Sequence, residues 1–188
     1  MTEVQRHTNA KNGLLFGGII GLIYCISLFF RYNQTSSGPI IIAVITFVFY
    51  LVVIAFLFLC GLKRKKELLG FISLKEAFQT IFISILVAEF IYSIFNIIYL
   101  KFIDPAYFDK LYASTETFVE KTIKDDTQRE EALDKIKAQM ASQKEYVLSI
   151  KGIVLGYLVS IAITGVCGFF AALIIKKDKP VFELSDKQ

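Results

Sequence analysis

The chain is short of the residues that most often carry chemistry. Histidine occurs once, as His7 in the N-terminal tail, with no Asp, Cys or Ser constellation around it. There is no H-E-x-x-H, no G-x-S-x-G and no P-loop, so metalloprotease, serine-hydrolase and nucleotide-hydrolase mechanisms lack their residues. The glycines of "GLLFGGIIG" open an apolar run, not a strand-to-helix turn. Cysteine occurs at Cys25, Cys60 and Cys167, always inside an apolar block and never with C-x-x-C spacing. That argues against a disulfide framework or a metal site, and each thiol reads as a small apolar packing residue. These shortages point away from an enzyme and imply no cofactor and no metal.

What is present is apolar, and it comes in blocks. Apolar residues make up 55% of the 188 and charged residues 20%, with a mean hydropathy of +0.57. Four uninterrupted blocks stand out: Gly13 to Phe30, Ile40 to Leu62, about Ala77 to Leu100, and about Gly152 to Ile175. A run of about 20 such residues crosses a hydrocarbon core when helical. Hydrocarbon also forces a backbone to satisfy its own hydrogen bonds, which a helix does. Barrel strands would be shorter, alternating segments. The first block is longer than a signal-peptide core, and no small-residue cleavage site follows it, so it reads as a retained span. The expected fold is all-α: a single integral membrane domain, residues 1–188, built as a four-helix transmembrane bundle.

Charge at the block edges sets the expected topology. The loop between spans two and three carries Lys63, Arg64, Lys65, Lys66 and Lys75, whereas the loop between spans one and two carries only Arg31. Arg6 and Lys11 precede span one; Lys176, Lys177, Lys179 and Lys187 follow span four. The positive-inside rule then places both termini and the basic loop in the cytoplasm. A pI near 8.9 therefore needs no nucleic-acid partner. The basic run reads first as a topology signal and second as a contact for anionic lipid head groups. Asn33 to Pro39 reads as an outer turn, and Asn33-Gln34-Thr35 is formally a glycosylation sequon.

The segment between spans three and four falls outside. It holds eight basic and ten acidic residues between Lys101 and Ser149. Ser73 and Glu76 form a capping box that starts span three. Asp104-Pro105 fits an N-cap with proline at the first helical position. Thr117 to Glu120 and Thr127 to Glu130 are two further possible boxes, with Asp125-Asp126 breaking the pattern between them. Tyr107, Phe108, Leu111 and Tyr112 form an aromatic patch beside the membrane, and Leu133, Ile136, Met140 and Val147 share one helix face. The reading is an extracytoplasmic helical insertion, about 104–149, of two or three helices. It is too small for a large core of its own, so it lies on the membrane, folds as a hairpin or uses a partner.

Two spans carry stripes of small residues. Gly152, Gly156, Ser160, Thr164, Gly168 and Ala172 recur every fourth position in span four, and Gly13, Gly17, Gly21 and Cys25 in span one. Small residues at that interval let helices approach closely in lipid, where apolar association supplies no drive. The simplest pairing sets spans one and four face to face; the alternative uses one stripe for homo-oligomerisation.

Glu89 is the one charged side chain inside any block, midway between Glu76 and Lys101. An ionised acid at that depth costs at least about 2.5–3.5 kcal/mol, so a neutral carboxyl is expected. Tyr92, Ser93 and Asn96 follow at three, four and seven residues, completing an intramembrane polar stripe. Tyr50, Thr46, Tyr157 and Ser160 have compatible depth as cross-helix partners. Two readings stand side by side. Glu89 is a proton-carrying or cation-coordinating group on a transport path, or a neutral hydrogen-bonded acid that fixes helix rotation. Transport paths usually bring further ionisable groups or broken helices, and the spans contain no Asp, Lys or Arg.

Three pieces, "ISLKEAF", "YLKFIDPAYFD" and "IIKKDKPVFE", together with the four-span layout, resemble a domain-of-unknown-function family of small, Bacteroidota-type, bacterial inner-membrane proteins. The resemblance implies a multi-pass protein of the bacterial inner membrane with an outer helical insertion. It brings no activity and no functional residue. The expected function is a non-enzymatic envelope scaffold or regulatory, interacting protein, whose partners are the bilayer and a membrane or extracytoplasmic protein met through 104–149. The alternative is a small oligomeric transporter or proton or ion permeation component using Glu89.

Overall fold

The computed structural model describes residues 3–33 and 39–178, with the side chains of 3–7 and 39 left aside. The expected outer turn, Thr35 of the sequon, the side chains of Arg6 and His7, Lys179, Lys187 and the last residues of "IIKKDKPVFE" lie outside the described residues. Among the described residues the chain is helical: α1 (Glu3–Asn33), α2 (Pro39–Glu67), α3 (Leu74–Ile98), α4 (Tyr107–Thr122), α5 (Asp126–Leu148) and α6 (Ile150–Ile175). Four stretches are long and apolar enough to cross a membrane: Thr8–Asn33, Ile40–Glu67, Leu74–Ile103 and Ile150–Ile175. The protein is a multi-pass membrane protein with a helical bundle fold.

Local chemistry explains several helix ends. Ser73 and Glu76 cap α3 reciprocally: the Glu76 amide donates to Ser73 Oγ at 3.3 Å and the Ser73 amide to Glu76 Oε2 at 3.3 Å. This satisfies amides that the first turn leaves orphaned. The other two boxes are not used. Thr117 lies within α4 and donates to the Ala113 carbonyl at 2.9 Å. The cap of α5 is Asp125, which accepts from the Gln128 amide at 2.9 Å. Asp104 does not cap α4 with its side chain; it pairs with Lys110 Nζ at 2.9 Å instead. Span three also ends differently from expectation. Beyond Ile98 the coil widens into a π-helical turn, Tyr99–Ile103, closed by the Asp104 amide on the Tyr99 carbonyl at 2.8 Å.

Contacts gather into two compact units, with breaks inside the helices. The first unit takes Met1–Ile23, Leu51–Ile91 and Val159–Gln188; the second takes Tyr24–Tyr50 and Tyr92–Leu158.

The first unit is organised around α3, which buries Ala77, Thr80, Ile81, Ser84, Ile85, Ala88 and Glu89. The glycines of α1 face it. A Cβ added at Gly13 would stand 2.6 Å from Ile83 Cβ, at Gly17 2.6 Å from Val87 Cβ, and at Gly21 2.8 Å from Ile91 Cδ1. Each step of four on α1 meets a step of four on α3 in the same direction, so these segments run parallel. On α6, a Cβ at Gly168 would stand 2.8 Å from Ile85 Cδ1, and Ala172 is fully buried. The expected pairing of span one with span four is therefore corrected: Gly13, Gly17 and Gly21 of span one and Gly168 of span four stand against span three. A glycine groove accepts a ridge of branched side chains, and α3 supplies Ile81, Ile83, Ile85, Val87 and Ile91.

The upper part of the α6 stripe has other roles. Nothing stands within 4 Å of a Cβ added at Gly156. At Gly152 a Cβ would collide with the Tyr146 carbonyl, because the chain turns sharply from α5 into α6. Ser149 holds that turn by accepting from the Gly152 amide at 3.0 Å.

The basic run expected in a loop forms the last turns of α2 instead, and it is largely used inside the first unit. Arg64 is buried and pairs with Glu67 Oε2 at 3.2 Å. Lys65 Nζ donates to the Ile175 carbonyl at 2.8 Å, where the end of a helix welcomes a cation. Lys63 lies 5.6 Å from the Phe16 ring centroid. Gly70, at φ +91°, lets its amide turn back to the Lys65 carbonyl at 2.9 Å. Ile72 and Lys177 then exchange two backbone hydrogen bonds of 2.9 Å.

The second unit is held by rings. Leu28, Tyr32, Tyr99, Leu100, Tyr107 and Phe108 form its buried cluster. Tyr32 stands 4.5 Å from Tyr99 and 4.2 Å from Tyr107, centroid to centroid. Helix α5 packs along α4 but fully buries none of its residues. Its Leu133, Ile136, Met140 and Val147 face is half-buried.

Candidate functional site

Helix α3 positions Glu89 by periodicity. Residues 81, 85 and 88–89 share its buried face, so the helix turns Glu89 inward with its isoleucines. Glu89 is 1% exposed. Two hydroxyls of α6 meet it, one on each carboxyl oxygen: Ser160 Oγ donates to Oε2 at 2.6 Å, and Thr164 Oγ1 to Oε1 at 2.9 Å. Ser160 and Thr164 are one turn apart, so both project from one face and straddle the carboxyl like the tines of a fork. Buried polar groups need such partners, and hydroxyls on a facing helix supply them without adding charge.

The rest of the polar stripe divides from Glu89. In the second unit, Asn96 Oδ1 accepts a short hydrogen bond from the Tyr32 hydroxyl. The Tyr92 ring lies 5.4 Å from that of Tyr24, and Ser93 is half-buried. Of the proposed partners of Glu89, Ser160 makes a direct hydrogen bond to it. Thr46 turns back to its own helix, donating to the Ile42 carbonyl at 2.8 Å. Thr164 was read from its spacing as a packing residue, and it is also a partner of the acid. The signal that could have found it is the i, i+4 interval from Ser160.

A second polar cluster escaped the sequence reading. Asn12 Nδ2 donates to Glu67 Oε2 at 2.6 Å, beside the Arg64 pair. Asn12 and Arg64 are both buried. One turn earlier on α1, Asn9 is 2% exposed, and neither its Nδ2 nor its Oδ1 has a hydrogen-bond partner among the described residues. The available signal was paired spacing: Asn9 and Asn12, like Arg64 and Glu67, are three apart, at the edges of apolar blocks.

Outside the spans, burial pushes the Tyr107 phenol above its ordinary range, while the nearby Arg31 guanidinium pulls the other way. Among the described residues no group of three or more His, Cys, Asp or Glu side chains could hold a metal ion.

A family profile matches residues 11–177, from just before Asn12 through the Ile72–Lys177 bridge. The chain belongs to that family, described as Protein of unknown function (DUF4199). The match takes in span one from residue 11 onward, the other three spans, the α4–α5 insertion, Glu89 and both of its hydroxyl partners. No curated protein and no solved structure matches the chain.

Proposed function

We propose that this protein is a non-enzymatic scaffold or regulatory protein of the bacterial inner membrane, with both termini cytoplasmic and the α4–α5 hairpin as its extracytoplasmic contact surface. The observation that carries this reading is the state of Glu89. At 1% exposure, with each carboxyl oxygen taken by a hydroxyl of α6, the acid works as a clamp between helices. A permeation path asks for a carboxyl that meets water.

The hairpin supports the other half of the reading. Helix α5 runs for 23 residues and buries none of them fully, so most of its surface is free to meet another protein. The remaining partner is the bilayer itself, with homo-oligomerisation compatible with the scaffold role. Nucleic acid has no place in it, since Arg64 and Lys65 spend their charges on Glu67 and the Ile175 carbonyl.

Two variants test the reading. Glu89→Gln keeps a hydrogen-bonding group and removes the charge, whereas deletion of 107–144 removes the hairpin. Survival of a cellular phenotype in the first and its loss in the second supports scaffolding. Proton or ion flux in proteoliposomes that disappears with Glu89→Gln would sink it. Proteins that co-purify with the wild type in mild detergent, and not with the deletion, name the partner.

A further inference from the structure

We propose that the turn between spans two and three is a leaflet anchor: Leu69 seats in an anionic phospholipid surface, with Lys66 and Lys177 on the head groups. The end of α2 shows why this leucine is unusual. The Gly70 amide donates to the Lys65 carbonyl at 2.9 Å and the Leu69 amide to the Lys66 carbonyl at 3.2 Å. Those two bonds make a Schellman cap in which Leu69 takes the left-handed position. Its φ is +58°, a backbone that glycine adopts freely and that a side chain makes costly. Glycine is next in the chain, at Gly70, so the cap would carry less strain with glycine at 69.

The chain gives the leucine no burial in return. Leu69 is 89% exposed, the highest value among the large apolar side chains of the described residues. A strained backbone that holds out an uncovered apolar side chain is costly twice over within the fold. Strain of this kind gathers where a chain meets something else.

Position and charge name the occupant. Residues 68–73 alone separate the membrane-length stretches Ile40–Glu67 and Leu74–Ile103. The first of these has 28 residues, which rise about 42 Å as a helix. A bilayer with its head groups is about 40–45 Å thick, so Leu69 stands at the leaflet surface. Lys66, Lys75 and Lys177 are exposed, and the Ile72 bridge ties Lys177 to this turn. Glu67 accepts from Arg64 and Asn12, Glu76 accepts from Ser73, and exposed Asp178 offsets one lysine. Lysines around an apolar tip match anionic head groups above acyl chains. The inference does not depend on what the α4–α5 hairpin binds.

The chain has no tryptophan, so Leu69→Trp gives a single reporter in the full-length protein. It is reconstituted in vesicles of phosphatidylcholine, alone or mixed with phosphatidylglycerol. Brominated acyl chains quench a tryptophan that enters the hydrocarbon, and acrylamide quenches one that stays in water. Burying a side chain of leucine size or more favours the seated tip about tenfold or more, so brominated chains should quench it in the mixed vesicles. Lys66→Gln with Lys177→Gln should remove the advantage of phosphatidylglycerol. Leu69→Gly then separates anchor from fold. Glycine suits the left-handed position, so the thermal midpoint in lipid-free detergent should not fall, while the rise on adding phosphatidylglycerol should shrink. A fall in detergent with an unchanged rise makes Leu69 a structural residue and overturns the proposal. Quenching by acrylamide alone overturns it too, as a tip that waits for a protein would give, and so does equal quenching by brominated chains in both kinds of vesicle.

Discussion

The two units of this chain solve the same problem by opposite means. In the first, α1 and α6 come close to α3 because side chains are missing: Gly13, Gly17, Gly21 and Gly168 stand where isoleucines and valines of α3 need room. In the second, contact comes from bulk, with Tyr32, Tyr99, Tyr107 and Phe108 filling one cluster. The difference follows the solvent in part, since Leu28, Tyr32, Tyr99 and Leu100 of the ring cluster belong to the spans and Tyr107 and Phe108 to the insertion. Lipid gives apolar side chains no reason to associate, so a helix pair in hydrocarbon is held by closeness and by hydrogen bonds such as those of Glu89. The α4–α5 insertion lacks the length and apolarity of a span, and there burying rings removes them from water.

Substitutions should break each unit by its own rule. The largest effect is expected from Phe108→Ala, at about 3–5 kcal/mol for an aromatic lost from a packed cluster. Hydrogen exchange should report it in peptides of α4 and α5 and leave those of residues 77–91 protected. Gly17→Leu comes next, because its Cβ alone would stand 2.8 Å from the Ser84 carbonyl, a contact with backbone that cannot swing aside. Overpacking of this kind costs about 1–3 kcal/mol or more, and a lowered thermal midpoint in detergent would show it. Its control is Gly156→Ala, where open space leaves the helix propensity of alanine free to act, worth about 1 kcal/mol of stabilisation.

Removing both hydroxyls with Ser160→Ala and Thr164→Val should cost somewhat less, since interhelical hydrogen bonds in membranes average about 0.6 kcal/mol and reach about 1.7. Glu89→Gln combined with that pair gives a thermodynamic cycle. If the effects simply add, the clamp is not a unit.

An alkaline titration addresses the aromatic unit alone. The folded value of Tyr107 lies above its ordinary one through burial. Its contribution is therefore fully present below the unfolded value of about 10 and is lost as pH rises through the folded one. Phenolate absorbance and exchange of α4 should change together in that window. The smallest effect belongs to the exposed face of α5. Lys135 and Glu131 lie 4.0 Å apart with side chains 80% and 69% exposed, so Lys135→Ala should stay within about 0.5 kcal/mol.

The spans were legible because a bilayer leaves little choice: length and apolarity decide, and the membrane-length stretches run past the four apolar blocks by no more than about five residues at any end. The Ser73–Glu76 cap was legible because it is a local bargain between residues three apart. Partners were harder. Periodicity tells which face of a helix is special, but not what it faces, and matching small residues with small residues sent span one towards span four instead of α3. The basic run hid its divisions in a related way. Four adjacent cations look like one patch, yet Arg64, Lys65 and Lys63 point to a carboxylate, a helix end and a ring. Ser160 was among the partners foreseen for Glu89, while the Asn9–Asn12 pair was passed over because it sits in a tail that reads as polar.

The clamp also has a history in time. Ser160 follows Glu89 by 71 residues and Thr164 by 75. At ribosomal speeds of about 5–20 residues per second, Glu89 is made roughly 4–14 s before Ser160. During that interval the acid enters the bilayer alone. The delivery of α6 is thus the step that commits α3 to its final rotation, and the last span acts as the keystone of assembly.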